Sequence, residues 1–132
     1  MTFLIDTNIL SELARPRPDP GVLAWADGQT MFGVSAITLD EIFYGLSWKP
    51  KPAFQTHLES YLAAQCTIYP VTETIARRAG ELRGSFCARG ITREQADMLI
   101  AATAQVHALT LVTRNTADFA GCGIPVLNPF SV

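Results

Sequence analysis

Hydrophobic and polar positions along this chain form blocks that predict strands and helices following one another in turn. Short apolar runs bounded by polar or turn-forming residues are typical of buried strands, and they cover residues 2–5, 31–35, 67–71, 109–113 and 125–127. Longer segments with helical spacing predict helices over residues 9–14, 22–27, 38–47, 53–64, 72–89 and 92–106, with a turn or short helix at 116–119. This alternation indicates an α/β domain with a mostly parallel sheet of four to five strands flanked by helices.

Capping residues define several of the predicted helix ends. Thr72 and Thr92 are predicted to cap the helices that follow them, and Gly90 is predicted to end the first of the two. Thr38 and Glu41 match the capping-box pattern, in which a hydroxyl and a carboxylate three residues apart each bond a free backbone N–H. Helix capping would therefore account for Glu41 without a functional role.

Length and composition limit the class of protein. The 132 residues fit one domain, which we expect to span residues 1–132, and a chain of this size buries a core without needing a disulfide or a metal. No apolar run approaches the roughly 20 residues of a membrane span, and the chain reaches Asp6 too early for a secretory signal. We therefore expect a cytoplasmic protein with no membrane partner.

Acidic and hydroxyl side chains follow the predicted strands at the points where the strands end. Asp6 follows the first strand, and Ser35 ends the second, with Glu41 shortly beyond it. Thr113 ends the fourth strand, with Asp118 shortly beyond it. The carboxyl ends of parallel strands meet at one edge of a sheet, where α/β proteins bind ligands. Taken singly, each of these acids fits a helix cap or a polar loop as well as a site.

Asp97 is the most informative of the acids. On a helix it shares a face with Ile100, Ala101 and Ala104, so its carboxylate has to be paired, hydrogen-bonded or bound to a metal. A first-turn position favoured by the helix dipole is the alternative. Several carboxylates at one sheet edge repel each other, and a fold tolerates them with raised pKa values or a bound cation. Carboxylate oxygens without histidine or thiolate partners suit Mg²⁺ or Mn²⁺.

Four segments together resemble the PIN domain, and in particular its VapC toxin branch with the FitB-like members. They are residues 3–13, residues 35–41 with Gly45, residues 96–104, and residues 109–119 followed by residues 128–129. Each segment alone is unspecific, but their order and spacing extend over nearly the whole chain. The resemblance implies a metal-dependent endoribonuclease that acts as the toxin of a type II toxin–antitoxin pair.

The resemblance also implies roles for individual residues. Those expected to be catalytic and to hold Mg²⁺ or Mn²⁺ are Asp6, Glu41, Asp97 and Asp118. Many family members have an acid where this chain has Asn115, so we assign the fourth acid to Asp118 and expect Asn115 to be a neutral ligand or a substrate contact. Supporting residues would be Thr7, Asn8, Ser35 and Thr113. Arg114 is the cation nearest in sequence and is expected to bind the substrate.

Partners are implied in the same way. We expect an RNA substrate, with transfer RNA as the target that the resemblance favours, a small antitoxin protein and a homodimer. The aromatic residues in the middle of the chain fit either the core or an interface, and they are Phe32, Phe43, Tyr44, Trp48, Phe54 and Tyr61. Hydrolysis would leave 5′-phosphate and 3′-hydroxyl ends. The alternative is an inactive PIN-like module that binds RNA or protein, and Asn115 is the residue that favours it.

The net charge changes its meaning once a site is assumed. Twelve acids against ten bases give a formal charge of -2, which does not by itself indicate a nucleic-acid partner. If four acids form one metal site, eight acids remain against ten bases in the rest of the chain. The surface around the site would then be weakly basic, and an RNA substrate is compatible with the composition.

Overall fold

The computed structural model describes residues 2–131 and contains one parallel sheet. Its strands are β1 (Phe3–Ile5), β2 (Phe32–Ser35), β3 (Cys66–Tyr69), β4 (Thr110–Val112) and β5 (Val126–Leu127). They lie in the order β3-β2-β1-β4-β5, and each neighbouring pair is parallel. The predicted α/β fold with a mostly parallel sheet is confirmed.

Helices connect the strands and cover both faces of the sheet. They are α1 (Thr7–Leu13), α2 (Pro20–Asp27), α3 (Ala36–Trp48), α4 (Pro52–Gln65), α5 (Glu73–Ala88) and α6 (Gln95–Val106), with a short 3₁₀ helix at Thr116–Phe119. None of the helices within residues 2–131 combines the length and the apolar character needed to cross a lipid bilayer.

Alternating side chains of the central strands divide the core into two layers. Leu4 and Leu111 pack in the layer that contains α5 and α6. Ile5, Val34 and Val112 pack in the layer that contains residues of α1 to α4. Successive side chains of a strand point to opposite faces, so these short apolar strands bury side chains on both sides, as a parallel sheet between two helical layers requires.

The strand order places a topological switch point between β1 and β4. From β1 the chain moves outward through β2 and β3, and it returns to the other side of β1 for β4 and β5. The connections leaving β1 and β4 therefore diverge and open a crevice at the carboxyl ends of the strands. Asp6 and Thr113, the residues directly after these two strands, lie at that crevice.

Two of the predicted helix caps, Thr38 and Thr92, are wrong. The N-cap of α3 is Ser35, three residues before the predicted cap, and its hydroxyl accepts a hydrogen bond from the Ile37 backbone N–H at 3.0 Å. Thr38 is fully buried inside the helix, so it does not form the predicted capping box with Glu41. Helix α6 begins after Glu94 rather than Thr92, since residues 91–94 form an irregular linker.

The two ends predicted for α5 are confirmed. The Thr72 hydroxyl accepts a hydrogen bond from the Ile75 backbone N–H at 3.2 Å. Past the other end, Gly90 has a φ of 77°, a left-handed conformation that glycine adopts without the steric cost of a Cβ. The ends of this helix could be predicted from the capping residues alone, because no other residue nearby competes with Thr72 as the cap or with Gly90 as the terminating glycine.

Candidate active site

Asp6 is a buried carboxylate held by neutral donors. It is 5% exposed and caps α1, where its Oδ1 accepts a hydrogen bond from the Thr7 backbone N–H at 2.8 Å. Its Oδ2 accepts from the Thr113 hydroxyl at 2.7 Å and from the Asn8 amide at 3.2 Å. Burial raises the pKa of Asp6, and these hydrogen bonds act in the opposite direction by favouring the charged form.

Asn8 and Thr113 join the start of α1 to the loop that follows β4. The Asn8 side-chain N–H lies 3.3 Å from the Thr113 hydroxyl oxygen, and its Oδ1 accepts from the Arg114 backbone N–H at 2.9 Å. The Thr113 hydroxyl also accepts from the Asn115 backbone N–H at 3.0 Å. Of the predicted supporting residues, Asn8 and Thr113 therefore form one network that fixes the position of Asp6.

Asp97 lies in the first turn of α6 and faces other acids. Burial is the largest cause that raises its pKa, to about 6, followed by the negative charges of Asp6, Asp118 and Glu41. These influences indicate that the carboxylates of Asp6, Asp118 and Glu41 lie near enough to Asp97 to act on its charge. The sequence prediction that they lie near one another agrees with this arrangement.

Asp118 lies on the 3₁₀ helix and Asn115 directly precedes it. The Asp118 charge raises the pKa of both Asp6 and Asp97, so its carboxylate acts on the site from the β4 side. Asn115 contributes backbone bonds, since its carbonyl accepts from the Asp118 N–H at 3.1 Å. Of these two candidates for the fourth position, Asp118 is the one that brings a negative charge to the other acids.

Glu41 is connected to the site through Thr7. The Thr7 hydroxyl donates to Glu41 Oε1 at 2.5 Å and lies 3.3 Å from the Thr38 hydroxyl. This contact joins α1 to α3, and it gives Glu41 a partner across the crevice in place of the predicted capping bond. Ser35 lies six residues before Glu41, and its hydroxyl accepts the capping hydrogen bond of α3.

The donor set fits a hard divalent cation without forming a closed cage. Among residues 2–131, no group of three or more histidine, cysteine, aspartate or glutamate side chains is close enough to hold a metal ion. Mg²⁺ keeps several waters and is often bound through one or two carboxylates together with substrate phosphates. An open group of carboxylates without nitrogen or sulfur ligands suits that mode of binding.

Two arginines near the crevice have different surroundings. The Arg114 guanidinium lies 4.7 Å from the centre of the Phe130 ring, and within the described residues no ion pair joins it to a carboxylate. Arg93 instead donates to the carbonyl oxygens of Ala117, Asp118 and Ala120. Sequence reasoning did not separate Arg93 from the surface cations, because its partners lie more than twenty residues away.

A groove of about 750 Å³ lies beside Glu41. Thr7 and Glu41 form part of its wall, and Tyr44 and Trp48 line it from α3. Both aromatic side chains are 69% exposed, whereas Phe32 is fully buried in the core. The aromatic residues of the middle segment therefore divide between the core and an open surface next to Glu41.

Comparisons with known proteins agree with this geometry. A model of the PIN domain matches residues 3–121. The chain is 35% identical to a VapC ribonuclease, Y4jK, of Sinorhizobium fredii, with 97% of each chain covered. It is 36% identical to the toxin FitB of Neisseria gonorrhoeae, over 97% of this chain and 98% of that one. A solved toxin–antitoxin complex from Klebsiella pneumoniae contains a similar chain, with a TM-score of 0.74, 30% identity, and coverage of 99% of this chain and 100% of that one.

Proposed function

Because this chain belongs to the PIN domain family, we propose that it is a metal-dependent endoribonuclease and the toxin of a toxin–antitoxin pair. The observation that carries this proposal is the group of four acids at the β1–β4 crevice, in which Asp97 has a pKa raised to about 6 by burial and by its acidic neighbours. Relatives named as ribonucleases and toxins over nearly the whole chain support the same activity.

The cation would be bound through one or two carboxylates of the group formed by Asp6, Asp97, Asp118 and Glu41, with water and substrate phosphate as its other ligands. When bound, Mg²⁺ or Mn²⁺ would stabilise negative charge on the phosphate and make a water molecule a better nucleophile. Thr113 and Asn8 orient the Asp6 carboxylate through the hydrogen bonds described above. Arg114 would attract the RNA backbone, since phosphates supply most of the binding energy of nucleic acids.

An inactive binding module is not supported. That alternative depended on the neutral Asn115, but Asp118 brings a carboxylate charge to Asp6 and Asp97 from the next turn. Repulsion between these carboxylates raises the free energy of the folded state when all of them are ionised. A module that only binds RNA or protein does not need such a destabilising group of acids. The retained acidic group therefore favours an active nuclease.

The RNA substrate can be identified together with the activity. After brief expression in cells, sequencing of new RNA 5′-phosphate ends is expected to reveal defined cleavage sites, and the resemblance leads us to propose transfer RNA among the targets. Asp97→Asn is the matched control, because it removes one charge and keeps the shape of the side chain. Identical end profiles for the wild-type protein and the control would contradict the proposed activity.

The groove beside Glu41 is the surface that we propose for a segment of the antitoxin. Tyr44 and Trp48 offer apolar area, and the groove continues to Thr7 and Glu41, so a bound peptide would block access to the acids. The similar chain in a toxin–antitoxin complex supports a protein partner of this kind.

A binding experiment with variants tests this surface. Tyr44→Ala combined with Trp48→Ala is expected to weaken binding of the small protein encoded beside this gene by at least about tenfold, as loss of central aromatic anchors does in other interfaces. Leu23→Ala, an exposed apolar residue outside the groove, is the control. Equal affinities for the double variant and the control would place the antitoxin elsewhere.

We also propose a homodimer in the cytoplasm, where its RNA substrates are found. Light scattering behind a sizing column is expected to give twice the mass of the 14.4 kDa chain in the absence of antitoxin. A single-chain mass at concentrations well above those of the nuclease assay would contradict the dimer.

A further inference from the structure

Arg93 directs its guanidinium at one short piece of backbone. Nη1 donates to the carbonyl oxygen of Ala117 at 3.1 Å and to that of Asp118, and Nη2 donates to the carbonyl of Ala120 at 2.8 Å. All three acceptors belong to residues 115–120, which we call the Asp118 turn. One side chain therefore contacts the turn that carries the fourth acid at three points.

The Phe86 ring packs against the Arg93 guanidinium. The Arg93 guanidinium lies 4.3 Å from the centre of the Phe86 ring, and this ring is 2% exposed in the layer of α5 and α6. Gly121 follows the Asp118 turn with a φ of 79°, and a Cβ at this position would lie 3.5 Å from the same ring. The buried ring thus packs against the arginine and lies close to Gly121, the residue directly after the turn that the arginine holds.

Arg93 does not act as a counter-ion to the acids. No ion pair within residues 2–131 joins its guanidinium to a carboxylate. Its contact with Asp118 is to the backbone carbonyl. The side chain therefore fixes where the turn lies and leaves the negative charge of the site in place.

We propose that Arg93 is a positioning residue that fixes the Asp118 turn and so keeps the Asp118 carboxylate beside Asp97, a role that rests on the nuclease function proposed above. A planar guanidinium presents its N–H groups as a fork, and this shape allows it to bond several carbonyls at once. A lysine ammonium carries the same charge on a compact head and cannot reproduce that fork. Shape, more than charge, is what the turn requires.

The matched pair of variants for the test is Arg93→Lys and Arg89→Lys. Arg89 also lies over Phe86, at 4.7 Å from the ring centre, but its hydrogen bond goes to the Ser85 carbonyl of its own helix. Both substitutions keep a positive charge next to the same ring, and only the first removes the fork from the Asp118 turn. Circular dichroism melting would establish that both variants fold.

Hydrogen exchange of the full chain without metal or RNA measures the turn directly. In Arg93→Lys, amides of residues 115–122 are expected to exchange at least about tenfold faster, because local opening becomes easier when the contacts that close a segment are removed. Arg89→Lys is expected to match the wild type in this segment. Unchanged exchange in Arg93→Lys would overturn the proposal whatever the enzyme does.

Titration with MnCl₂ in a calorimeter links the turn to the site. Arg93→Lys is expected to weaken Mn²⁺ binding by about 10- to 100-fold, as loss of groups that orient metal ligands does elsewhere, and to lower kcat more than it raises KM. Equal Mn²⁺ affinity in Arg93→Lys, Arg89→Lys and the wild type would overturn the proposal.

A third variant separates positioning from phosphate binding. Arg93→Gln is expected to bind RNA in EDTA as the wild type does, because the proposed role involves no substrate contact. Weaker RNA binding by Arg93→Gln, restored in full by Arg93→Lys, would show a phosphate contact and overturn the proposal. If wild-type protein binds no Mn²⁺ and cuts no RNA, the nuclease function fails, while hydrogen exchange still decides the role of Arg93 in the turn.

Discussion

Asp6 and Asp97 are two carboxylates at the same crevice that are stabilised in opposite ways. Asp6 is almost completely buried, and it accepts hydrogen bonds from a backbone N–H, a hydroxyl and an amide. Asp97 receives no side-chain hydrogen bond within residues 2–131, and its charged neighbours are acids that raise its pKa to about 6.

The difference separates geometry from charge. Neutral donors give Asp6 a fixed position without a counter-ion, and they favour its ionised form despite burial. Asp97 and Asp118 add negative charge that the described side chains do not offset, and a divalent cation would compensate it. The position of the Asp6 carboxylate is thus fixed by hydrogen bonds, whereas the charges of Asp97 and Asp118 favour the binding of a cation. Substitutions at the hydrogen-bond partners of Asp6 should therefore lower stability, whereas substitution of Asp97 should lower activity.

Asp97→Asn should have the largest effect of the substitutions that test this contrast. Removal of the charge of this proposed catalytic acid is expected to lower the rate of RNA cleavage by at least about a hundredfold, a loss typical of electrostatic groups in active sites. The fold is expected to survive, because the substitution removes a repelled charge. Cleavage of a labelled RNA by purified protein in MnCl₂ measures the effect, with the exposed Asp27→Asn as the control. Full activity in Asp97→Asn would remove Asp97 from the site.

Thr113→Val tests the Asp6 side of the contrast. The change keeps the shape of the side chain and removes the donor to the buried Asp6 carboxylate and the acceptor for the Asn115 N–H. We expect the free energy of unfolding to fall by about 1–3 kcal/mol, since a buried polar group loses its partner. Thr110→Val, at the start of the preceding strand β4, is the control in urea denaturation. Equal destabilisation of the two variants would show that the hydroxyl network does not hold Asp6.

The pH dependence of stability tests the Asp97 side. Its pKa rises from 3.8 in the unfolded chain to about 6 in the folded one, so the folded state holds the proton more tightly. In EDTA the contribution of Asp97 to stability is therefore fully present below pH 4 and is lost as the pH rises through 6. After allowance for solvent screening of this half-buried group, Asp97→Asn should be more stable than the wild type by about 1 kcal/mol at pH 7.5.

Chemical denaturation at several pH values measures this difference. The gap between Asp97→Asn and the wild type should close below pH 4, where both side chains are neutral, and it should shrink at pH 7.5 when MnCl₂ is added. A wild-type protein that is more stable than the variant at pH 7.5 in EDTA would mean that Asp97 is already paired.

Thr7→Val should have the smallest effect. The Thr7 hydroxyl bonds Glu41 on the exposed side of the crevice, where water can replace a lost partner. We expect a loss of less than about 1 kcal/mol in the free energy of unfolding, near the usual net value of one hydrogen bond. The same urea experiment checks this, and a loss as large as that of Thr113→Val would mean that Glu41 is held as firmly as Asp6.

The positions of the strands and of the acids could be predicted because both leave local patterns. Apolar runs fix which residues are buried, and a parallel sheet brings the residues after β1 and β4 to one edge. The start of α3 could not be predicted in this way. Ser35 and Thr38 are both suitable caps three residues apart, and burial of Thr38 in the packed structure decides between them.

Contacts between distant residues are the part that sequence reasoning missed. Arg93 bonds carbonyls 24 to 27 residues away. Every residue has a backbone carbonyl, so the amino-acid sequence does not show which of them will accept a hydrogen bond. The Asp19 carboxylate likewise accepts from the backbone N–H and hydroxyl of Ser131, which lowers the pKa of Asp19 and joins the start of α2 to the last described residues. Such contacts depend on which distant segments the tertiary fold brings together.

Binding of Mn²⁺ at pH 7.5, followed in a calorimeter with wild-type protein and Asp97→Asn, tests the central claim most directly. If the acids at the β1–β4 crevice form a cation site, the wild type will bind Mn²⁺ with a saturable signal, and Asp97→Asn will bind it at least about tenfold more weakly. Equal binding by the two proteins, or no binding by the wild type at millimolar Mn²⁺ with RNA present, would contradict the claim.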